Sequence, residues 1–403
     1  MPQNTALISG AGIAGPAAAF WLNAAGWRTT IVERARTLRS GGYVIDFWGQ
    51  GYDLAERMGL RTGMEEVGYH MKEVRVVGDG GERIAGFGVP ALDALTGGRL
   101  ATLPRSELSR LILEAAAPPT SVRFGDEIVA LVQDDDGVDV SFASGETHRC
   151  DLVVGADGLH SGVRRLVFGP DDRFERPLGY AVAAFEADCY EPRDPDVYIL
   201  YGRPGRMVGR FTLHSDSCLF LFIFALESEL PVKLEARKAL LATVYGEDGW
   251  ELRQILHRLT TSQDLYMERA SQIIAPTWSK GRVVLLGDAA FCVSLLAGQG
   301  SALAIVAAHV LAGELARSGD RMKDALASYE RLLRAYVALK QAGAVRFAGA
   351  FAPQTRFGVW FRNMIMNALG IPGVARFVIG REIADRLLLP DYALNSGLAQ
   401  SAP

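Results

Sequence analysis

The first part of the chain alternates between short apolar runs and a longer segment of small apolar residues. Residues 5–9 predict a buried strand, residues 13–25 a helix and residues 29–33 a second strand. Elements in this order form a βαβ unit, in which two parallel strands share a sheet and the helix covers one face. The pattern therefore predicts the start of a parallel α/β sheet.

The middle of the chain carries further strand patterns. Residues 127–156 are rich in short strands and contain an acidic turn at 134–137. Residues 178–226 alternate aromatic and β-branched residues, which predicts an antiparallel sheet in a different layer from the opening unit. Residues 282–286 predict one more buried strand.

The C-terminal part has helical patterns. Residues 301–316 are apolar on nearly every face, which predicts a buried helix, and residues 324–346 continue as a helix. A helical stripe of apolar residues follows at Phe357, Trp360, Phe361, Met364, Ile365, Ala368 and Leu369. We expect this stripe to be buried, either over the active centre or over the core, since leaving it in water is costly. A last helix is predicted from about residue 374 to 390.

Composition and charge exclude several classes of protein. The 403 residues carry a formal net charge of -4, so no basic excess is available to bind nucleic-acid phosphates. The four cysteines form no CxxC pair, which is typical of a reducing compartment, and the histidines lack the spacing of metal ligands. With no basic signal region and no long apolar run outside the predicted core helix, we expect a cytoplasmic protein without metal or membrane partner.

A glycine-rich motif joins the first strand to the first helix. It reads Gly10-Ala11-Gly12-Ile13-Ala14-Gly15, which is the GxGxxG pattern in the context that makes it informative. Glycines there allow a tight turn and a close backbone approach to a pyrophosphate, and the helix N-terminus attracts the negative charge. Glu33 ends the second strand, where it can bind a ribose diol, and Arg34 follows it. This motif alone leaves NAD and FAD open.

A second motif stands near the other end of the chain. The strand at 282–286 leads into Gly287-Asp288-Ala289-Ala290, and Ala297-Gly298-Gln299-Gly300-Ser301 follows. Asp288 lies at the carboxyl edge of a buried strand, where sheets of this kind bind ligands, and can accept a hydrogen bond from the ribityl chain of a flavin. The predicted helix beginning near Ser301 points its N-terminus at a negatively charged group, such as a reduced flavin. This motif favours FAD.

A third motif combines a strand end, an Asp-Gly turn and a basic stretch. It comprises Asp151-Leu152-Val153-Val154-Gly155-Ala156-Asp157-Gly158, with Arg164 and Arg165 close behind. Taken together, the three motifs resemble the flavoprotein aromatic hydroxylases related to para-hydroxybenzoate hydroxylase, over nearly the whole chain. By this resemblance the first motif binds the ADP part of FAD, Asp157 serves FAD and NADPH, and Asp288 holds the ribityl chain.

The resemblance implies further site residues. Arg105, in Leu103-Pro104-Arg105-Ser106, matches the arginine that contacts the flavin, and Asp46 matches an acidic residue near the isoalloxazine in the tetracycline-destructase branch. Arg39 is a candidate for binding a phosphate of the nicotinamide nucleotide, although a solvated arginine is an equally good interpretation. This branch is the most similar, but Phe291 and Leu295 stand where many of its members have His and Pro.

The family's chemistry implies a function and its alternatives. NADPH or NADH reduces noncovalently bound FAD, O2 forms a flavin C4a-hydroperoxide, and oxygen passes to an electron-rich aromatic or polyketide-like molecule. No side chain is then required as catalytic acid, base or nucleophile, because the cofactor carries the chemistry. A non-oxygenating reductase of the same fold and a flavin-bearing ligand-sequestering protein remain alternatives. A halogenase is disfavoured because the six tryptophans form no WxWxIP sequence.

The predicted architecture is an α/β fold with a Rossmann-like FAD-binding domain, an antiparallel-sheet substrate domain and C-terminal helices. We assign residues 1–70, 101–176 and 275–345 to FAD binding, residues 71–100 and 177–274 to substrate binding, and residues 346–403 to the helical segment. Five residues of the predicted antiparallel sheet are candidates for substrate contact, although a core or surface role is favoured for each: Phe185, Tyr201, Arg210, His214 and Phe222. A monomer or weak homodimer is expected.

Overall fold

The structure is a computed structural model that describes residues 3–38, 43–88, 96, 98–214, 216–371, 373–374 and 387–394. Its strands, in chain order, are β1 (Thr5–Ser9), β2 (Arg28–Glu33), β3 (Val44–Trp48), β4 (Glu73–Val77), β5 (Arg83–Gly88), β6 (Leu100–Pro104), β7 (Ser121–Phe124), β8 (Ile128–Gln133), β9 (Val138–Phe142), β10 (Thr147–Cys150), β11 (Leu152–Gly155), β12 (Glu175–Asp188), β13 (Val197–Arg203), β14 (Arg206–Thr212), β15 (Ser217–Ala225), β16 (Tyr266–Ile273), β17 (Ser279–Lys280) and β18 (Val283–Leu285).

The helices, again in chain order, are α1 (Ala14–Ala24), α2 (Gln50–Arg57), α3 (Arg61–Val67), α4 (Arg105–Ala116), α5 (Gly162–Val167), α6 (Leu234–Tyr245), α7 (Leu252–Thr261), α8 (Asp288–Phe291), α9 (Gly300–Ser318), α10 (Met322–Phe351) and α11 (Arg356–Ala368). Short 3-10 helices occur at Asp171–Arg173 and Leu295–Ala297.

The opening βαβ unit forms the centre of a six-stranded sheet. The strand order is β17-β18-β11-β1-β2-β7, and every neighbouring pair is parallel except β17 with β18. Strands β11 and β18 are buried along their whole length, as expected for inner strands covered on both faces. Small residues on α1 let it pack closely against the buried helix α9. The predicted parallel sheet and the predicted helix at 301–316 are confirmed.

The second large sheet has seven strands in the order β16-β12-β15-β14-β13-β4-β5. Its pairs are antiparallel except β13 with β4, so the predicted antiparallel layer is confirmed for residues 178–226. One face packs against α6 and α7 around Phe220, Phe222 and Tyr245. Because side chains alternate along a strand, every second residue of these strands points to the opposite face of the sheet.

That opposite face meets elements of the first sheet. Leu295 and Leu296, from the short 3-10 helix after α8, pack against Tyr180, Val182 and other inward side chains of the second sheet. A two-stranded ribbon of β3 and β6 adds further aromatic and apolar contacts at the same junction. The space between the two sheets therefore brings the nucleotide-binding motifs and the second sheet together.

The C-terminal stripe is only partly buried, which corrects the expectation. Ile365 and Leu369 of the α11 region pack against Phe87 of β5, whereas Phe357 is 70% exposed and Trp360 is 57% exposed. Trp360 lines a groove of about 1040 Å³ between α11 and the β13–β14 hairpin, so the helix contacts the sheet along one edge only. Residues 387–394 are irregular rather than helical, and residues 375–386 of the predicted last helix lie outside the described residues.

Within the described residues, α9 alone is long and apolar enough to cross a membrane. Its side chains are buried between α1, α2 and α10, as expected for a core helix.

Candidate active site

Two close backbone contacts shape the glycine-rich turn between β1 and α1. Gly10 has a φ of +105°, and a Cβ atom there would lie 2.6 Å from the carbonyl oxygen of Ala156. A Cβ atom at Gly15 would lie 1.9 Å from the carbonyl oxygen of Gly10. Larger residues are excluded at both positions. Gly10 adopts a left-handed backbone, and Gly15 leaves no room for a side chain because helix and strand pack closely there. Ile13 and Ala14 begin the helix, whose first N–H groups have no intrahelical partner.

Helix α4 holds this turn from the side. The Ser109 hydroxyl donates to the carbonyl oxygens of Ala11 and Gly12 at 3.2 and 3.1 Å. Arg105 lies one turn earlier on the same helix, and its Nη2 atom is 3.7 Å from where a Cβ atom of Gly12 would lie. Among the described residues its guanidinium has no hydrogen-bond or ion-pair partner. Arg105 therefore presents a free cationic group beside the glycine-rich turn.

The loop that carries Asp288 meets the same turn. A Cβ atom at Gly287 would lie 3.0 Å from the Cβ of Ala14, and one at Gly300 would lie 3.5 Å from Oδ1 of Asp288. The Asp288 carboxylate therefore lies at the N-terminus of α9, and the preceding Gly287 lies against the start of α1. Burial raises its pKa, although the charge of Arg105 acts in the opposite direction. A carboxyl group whose charged form is destabilised by burial is typical of a binding site.

The loop before α9 has an unusual backbone. Ser294 has a φ of +112° without being glycine, and its hydroxyl accepts a hydrogen bond from the Leu296 N–H. Gly298 has a φ of +64° and lies beside Trp48 of β3. Ser301 occupies the first turn of α9. Residues with positive φ other than glycine are uncommon and cluster at ligand sites, so this loop is held in its shape by its surroundings.

Glu33 closes the opposite end of the glycine-rich turn. Its Oε2 accepts the N–H of Ala11 at 2.8 Å, and its Oε1 accepts the N–H of Ala35 at 2.8 Å. Each carboxylate oxygen can accept a second hydrogen bond, so capacity for a ribose diol remains. Arg34 beside it is exposed, and Arg39 lies outside the described residues.

Asp157 has a local role in the structure. It accepts hydrogen bonds from the Ser161 hydroxyl and the Val163 N–H, at 2.5 and 3.1 Å, and so holds the start of α5. The fully buried Arg164 that follows donates to the carbonyl oxygen of Ala289 at 2.9 Å. The third motif is thereby tied to the second, and its Asp-Gly turn lies directly against Gly10.

Asp46 lies in a recess between the two sheets. Its side chain keeps accessible surface, yet burial raises its pKa, while the hydrogen bond from the Thr102 hydroxyl at 2.6 Å acts against that shift. Asp46 is itself exposed, so this recess is open to solvent. The nearby phenol of Tyr198 also has a raised pKa, first through burial and then through the charge of Asp46.

Aromatic side chains form the wall of this recess. They come from the ribbon, from the loop before β4 and from the inner face of the second sheet, and they are Tyr43, Tyr69, Tyr198, Phe211 and Tyr266. We call these five residues the aromatic wall. Burial raises the pKa of Tyr43 to about 12, and the positive charge of Arg105 partly offsets this. The wall therefore borders the group of Arg105 and Asp288.

The five sheet residues considered for substrate contact do not line the wall. Phe185, Tyr201 and Phe222 lie in the core beneath α6 and α7, and Arg210 is buried there with Asp194 and Glu251 as partners. The favoured core role is confirmed for these four. His214 is exposed and stacks on Tyr69 with ring centroids 4.1 Å apart, which agrees with a surface role at the edge of the wall.

Sequence reasoning missed Ser109 and the aromatic wall. Ser109 follows Arg105 by four residues on one helix, and this spacing places both on the same face, so it could have been found. Tyr198 is three residues from Tyr201 on one strand, and three steps reverse the face. The residue pattern does not say which face of a sheet meets the ligand. No sequence signal identified Tyr43 or Tyr266.

With this geometry in view, comparisons with known proteins decide the family. The sequence profile described as "FAD binding domain" matches residues 3–341. The chain belongs to this FAD-binding family. It is an FAD-dependent monooxygenase of the aromatic-hydroxylase type, with FAD as its cofactor and an α/β fold like that of para-hydroxybenzoate hydroxylase.

Individual relatives support this assignment. Rv1260, an uncharacterized protein of Mycobacterium tuberculosis, is 37% identical over 350 residues, which are 84% of this chain and 92% of its own. A flavin-dependent monooxygenase from an unknown prokaryotic organism is 33% identical and covers 86% of this chain and 89% of its own. The crystal structure of tetracycline destructase Tet(55) is 29% identical, with a TM-score of 0.83 and coverage of 97% and 100%.

The residues present fit FAD. The glycine-rich turn leaves a cradle that Cβ atoms would fill, Arg105, which has no partner among the described residues, supplies a positive charge, and Asp288 offers a carboxylate at the N-terminus of α9. Neighbouring interactions link these features in order, from Glu33 through the glycine-rich turn, Arg105 and Asp288 to Tyr43 of the aromatic wall.

Proposed function

We propose that this monooxygenase uses NADPH or NADH and O2 to hydroxylate a planar, electron-rich phenolic or enolic molecule of polyketide type. The observation that carries the proposal is the aromatic wall, which borders the group of Arg105 and Asp288. A mostly apolar recess with a few polar groups is typical of a small-molecule site. We expect a cytoplasmic enzyme, as a monomer or weak homodimer.

The cofactor site is proposed to extend along the series of neighbouring residues described above. The pyrophosphate is held by the turn and by α1, the adenosine ribose by Glu33, the ribityl chain by Asp288, and the flavin ring by groups at the recess. The proposed cofactor-binding residues are Gly10, Gly12, Ile13, Ala14, Gly15, Glu33, Asp46, Arg105, Asp157, Asp288, Gly298, Gly300 and Ser301. Arg34 is proposed as a further cofactor-binding residue, and Arg39 is proposed to bind a phosphate of the nicotinamide nucleotide.

When bound, FAD supplies the redox and oxygen-transfer chemistry, and the protein controls position, charge and access of water. Arg105 and the N-terminus of α9 favour negative charge at the flavin ring. The aromatic wall excludes water and offers flat surfaces for stacking a fused-ring molecule. Asp46, with its raised pKa, provides a polar group that can hold a proton near the substrate.

We also propose a division into domains, based on which residues supply each of the two large sheets. Residues 71–100 and 177–274 supply the second sheet and its helices, and the rest of the chain up to residue 345 supplies the nucleotide-binding sheet. Leu295 of the nucleotide-binding part packs against inner side chains of the second sheet. Because many similar enzymes have proline at this position, Leu295 is expected to alter the substrate-side surface.

The test is a panel of tetracyclines, anthraquinones and simple phenols. NADPH oxidation, oxygen uptake and product mass are followed together, with and without each compound. We expect a fused-ring phenol to stimulate both NADPH oxidation and oxygen uptake and to give a product one oxygen atom heavier. Stimulation only by aliphatic ketones or amines, or turnover that persists without oxygen, would contradict the proposal.

A matched pair of variants tests the location of the substrate. Tyr198→Phe alters the aromatic wall, whereas Tyr201→Phe removes a hydroxyl from the opposite face of the same strand, where it contacts Asp79 and Gly249. We expect the first variant to change KM for the stimulating compound and the second to leave it unchanged. Equal changes of KM in the two variants would mean that the substrate does not bind at the aromatic wall.

A further inference from the structure

A groove separate from the candidate active site lies between α11 and the β13–β14 hairpin. It has a volume of about 1040 Å³, near the upper end of the range of small-molecule sites. We call it the α11 groove. None of the described residues that line it belongs to the aromatic wall, and α11 supplies one side with Arg356, Trp360, Asn363 and Asn367. Spacings of four, three and four residues place these side chains on one face of the helix.

The centre of this helix face is apolar and flat. Trp360 is 57% exposed, and Met364, one turn further along, is 45% exposed. Pro204 of the hairpin and Ile84 of β5 also line the groove. An exposed indole with apolar neighbours is a surface on which a planar ring can stack.

The two asparagines present hydrogen-bond donors to the groove. Oδ1 of Asn363 accepts hydrogen bonds from Nε and Nη2 of Arg362 at 3.2 and 2.9 Å. Oδ1 of Asn367 accepts the Gly86 N–H at 3.1 Å. Within the part of the chain that the structure describes, neither amide NH2 group has an acceptor. Because the oxygens are held by the protein, this pair offers N–H donors to a ligand.

Two arginines add positive charge on the same side. Arg362 lies behind Gly202, where a Cβ atom would be 2.8 Å from both Nη1 and Nη2. It donates to the carbonyl oxygen of Phe351 at 3.0 Å, but no carboxylate of the described residues pairs with it, and burial lowers its pKa to about 10. Arg356 is exposed and also has no ion-pair partner among the described residues. Both guanidinium groups are therefore charged and unpaired at neutral pH.

Most charges on the opposite side are neutralised within the protein. Arg206 donates to both oxygens of Asp248 at 2.6 Å, and Arg203 pairs with Asp79. Glu247 also lines the groove; it is exposed and has no partner among the described residues. Two unpaired arginines thus outweigh one unpaired acid, so the α11 groove favours a negatively charged ligand.

We propose that the α11 groove is a second small-molecule site, which binds a planar aromatic carboxylate. The ring stacks on Trp360, and the carboxylate accepts hydrogen bonds from Asn363 and Asn367, whose spacing of four residues brings their side chains together. Arg356 and Arg362 supply the charge that selects an anion over a neutral molecule of the same shape. The site is independent of the proposed function, because none of the recess residues takes part in it.

Isothermal titration calorimetry of the FAD-loaded protein with 2-naphthoate tests the site. The neutral comparison is 2-naphthamide, which has nearly the same shape. We expect the naphthoate to bind at least about tenfold more tightly, because hydrogen bonds to a charged group are stronger than those to a neutral one. No binding of the naphthoate, or equal affinities for the two compounds, would overturn the proposal.

Two exposed groups of opposite charge give opposite expectations. Arg356→Gln should weaken naphthoate binding by up to about fivefold, and Glu247→Gln should strengthen it by a similar factor, the size of a solvent-exposed charge interaction. Arg253→Gln, which removes an exposed arginine of α7, is the matched control. Changes of the same sign in the first two variants, or an equally large change in the control, would contradict a built anion site.

Asn363→Asp separates ligand binding from folding. The new carboxylate can still accept both hydrogen bonds of Arg362, so the melting temperature should not fall, yet the NH2 donor is lost and a negative charge is added. We expect naphthoate affinity to fall by more than about tenfold. An unchanged affinity in this variant would overturn the proposal. So would a loss of affinity in Tyr198→Phe instead, because the naphthoate would then lie in the recess.

Discussion

At the scale of single residues, the candidate site contains two carboxylates whose charged form is destabilised by the surrounding protein. The pKa values of Asp46 and Asp288 are raised by burial, so each carboxylate is ionised at some expense at neutral pH. Neither is paired with a basic side chain within ion-pair distance among the described residues. Ligand binding is a physical reason to retain such groups.

Replacing Asp288 by alanine should weaken FAD binding. The change removes a charged acceptor from the ribityl chain, and a charge-assisted hydrogen bond contributes about 1.5–3 kcal/mol, or roughly ten- to a hundredfold in affinity. Titration of apoprotein with FAD measures the effect, and Asp172→Ala, at an exposed position of a short 3-10 helix, is the control. Unchanged FAD affinity in Asp288→Ala would remove the main support for this part of the site.

Glu33→Ala and Asp46→Ala should affect opposite ends of the cofactor. The first lies at the proposed adenosine end, so we expect weaker FAD binding with a nearly unchanged flavin spectrum. The second lies in the recess, so we expect a modest loss of FAD and altered reduction by NADPH. Fluorescence titration and stopped-flow reduction distinguish them. Identical behaviour of the two variants would mean that at least one residue is misplaced.

The candidate cofactor site could be proposed residue by residue from the sequence, because its requirements are local. Gly10 and Gly15 are recognisable since a turn and a close contact leave no room for a side chain. Tyr198 was not predictable, since its importance depends on which face of β13 meets the other sheet.

At the scale of elements, α9 is held by residues from both ends of the chain. Its His309 is 1% exposed and lies between Trp21 of α1 and Tyr392 of the C-terminal segment. Tyr392 packs over Gly313 of the same helix and donates to the buried Glu314 at 2.8 Å. Neither ring nitrogen of His309 has a hydrogen-bond partner among the described residues.

This packing predicts a loss of stability in mild acid. Burial lowers the pKa of His309 from 6.5 to about 4, so the folded protein keeps the ring neutral while the unfolded chain takes up a proton. Stability is therefore full above pH 6.5 and falls as the pH drops toward 4. At pH 5 the cost is about 2 kcal/mol. Urea unfolding at pH 7.5 and 5 should show this loss in the wild type and not in His309→Phe; equal losses would contradict it.

Deleting residues 357–403 should damage the enzyme through α11. The helix packs on β5 through Ile365 and Leu369, and Asn367 accepts the Gly86 N–H at 3.1 Å. Its loss exposes apolar surface at about 25 cal/mol per Å². We expect a lower melting temperature and less product per NADPH consumed. Because the deletion also removes Tyr392, Tyr392→Ala in the full chain serves as the comparison. A stable, fully coupled truncated enzyme would exclude a role for the helix.

At the scale of the whole molecule, the fold follows from the sequence only in part. The parallel sheet could be predicted because β1, α1 and β2 are consecutive and have clear periodicities. The pairing of β3 with β6 and of β4 with β13 could not, because these strands are far apart in sequence and nothing in either strand specifies its partner. Those pairings build the junction between the sheets, where the recess lies.

We propose that oxygen from O2 is inserted into an electron-rich substrate at this junction. The most direct test is turnover with NADPH under 18O2 with the compound that best stimulates NADPH oxidation, followed by mass analysis of the product. We expect one 18O atom in each product molecule from the wild type, and a lower yield of labelled product per NADPH in Tyr198→Phe. A product that carries no label, or whose added oxygen comes from water, would contradict it.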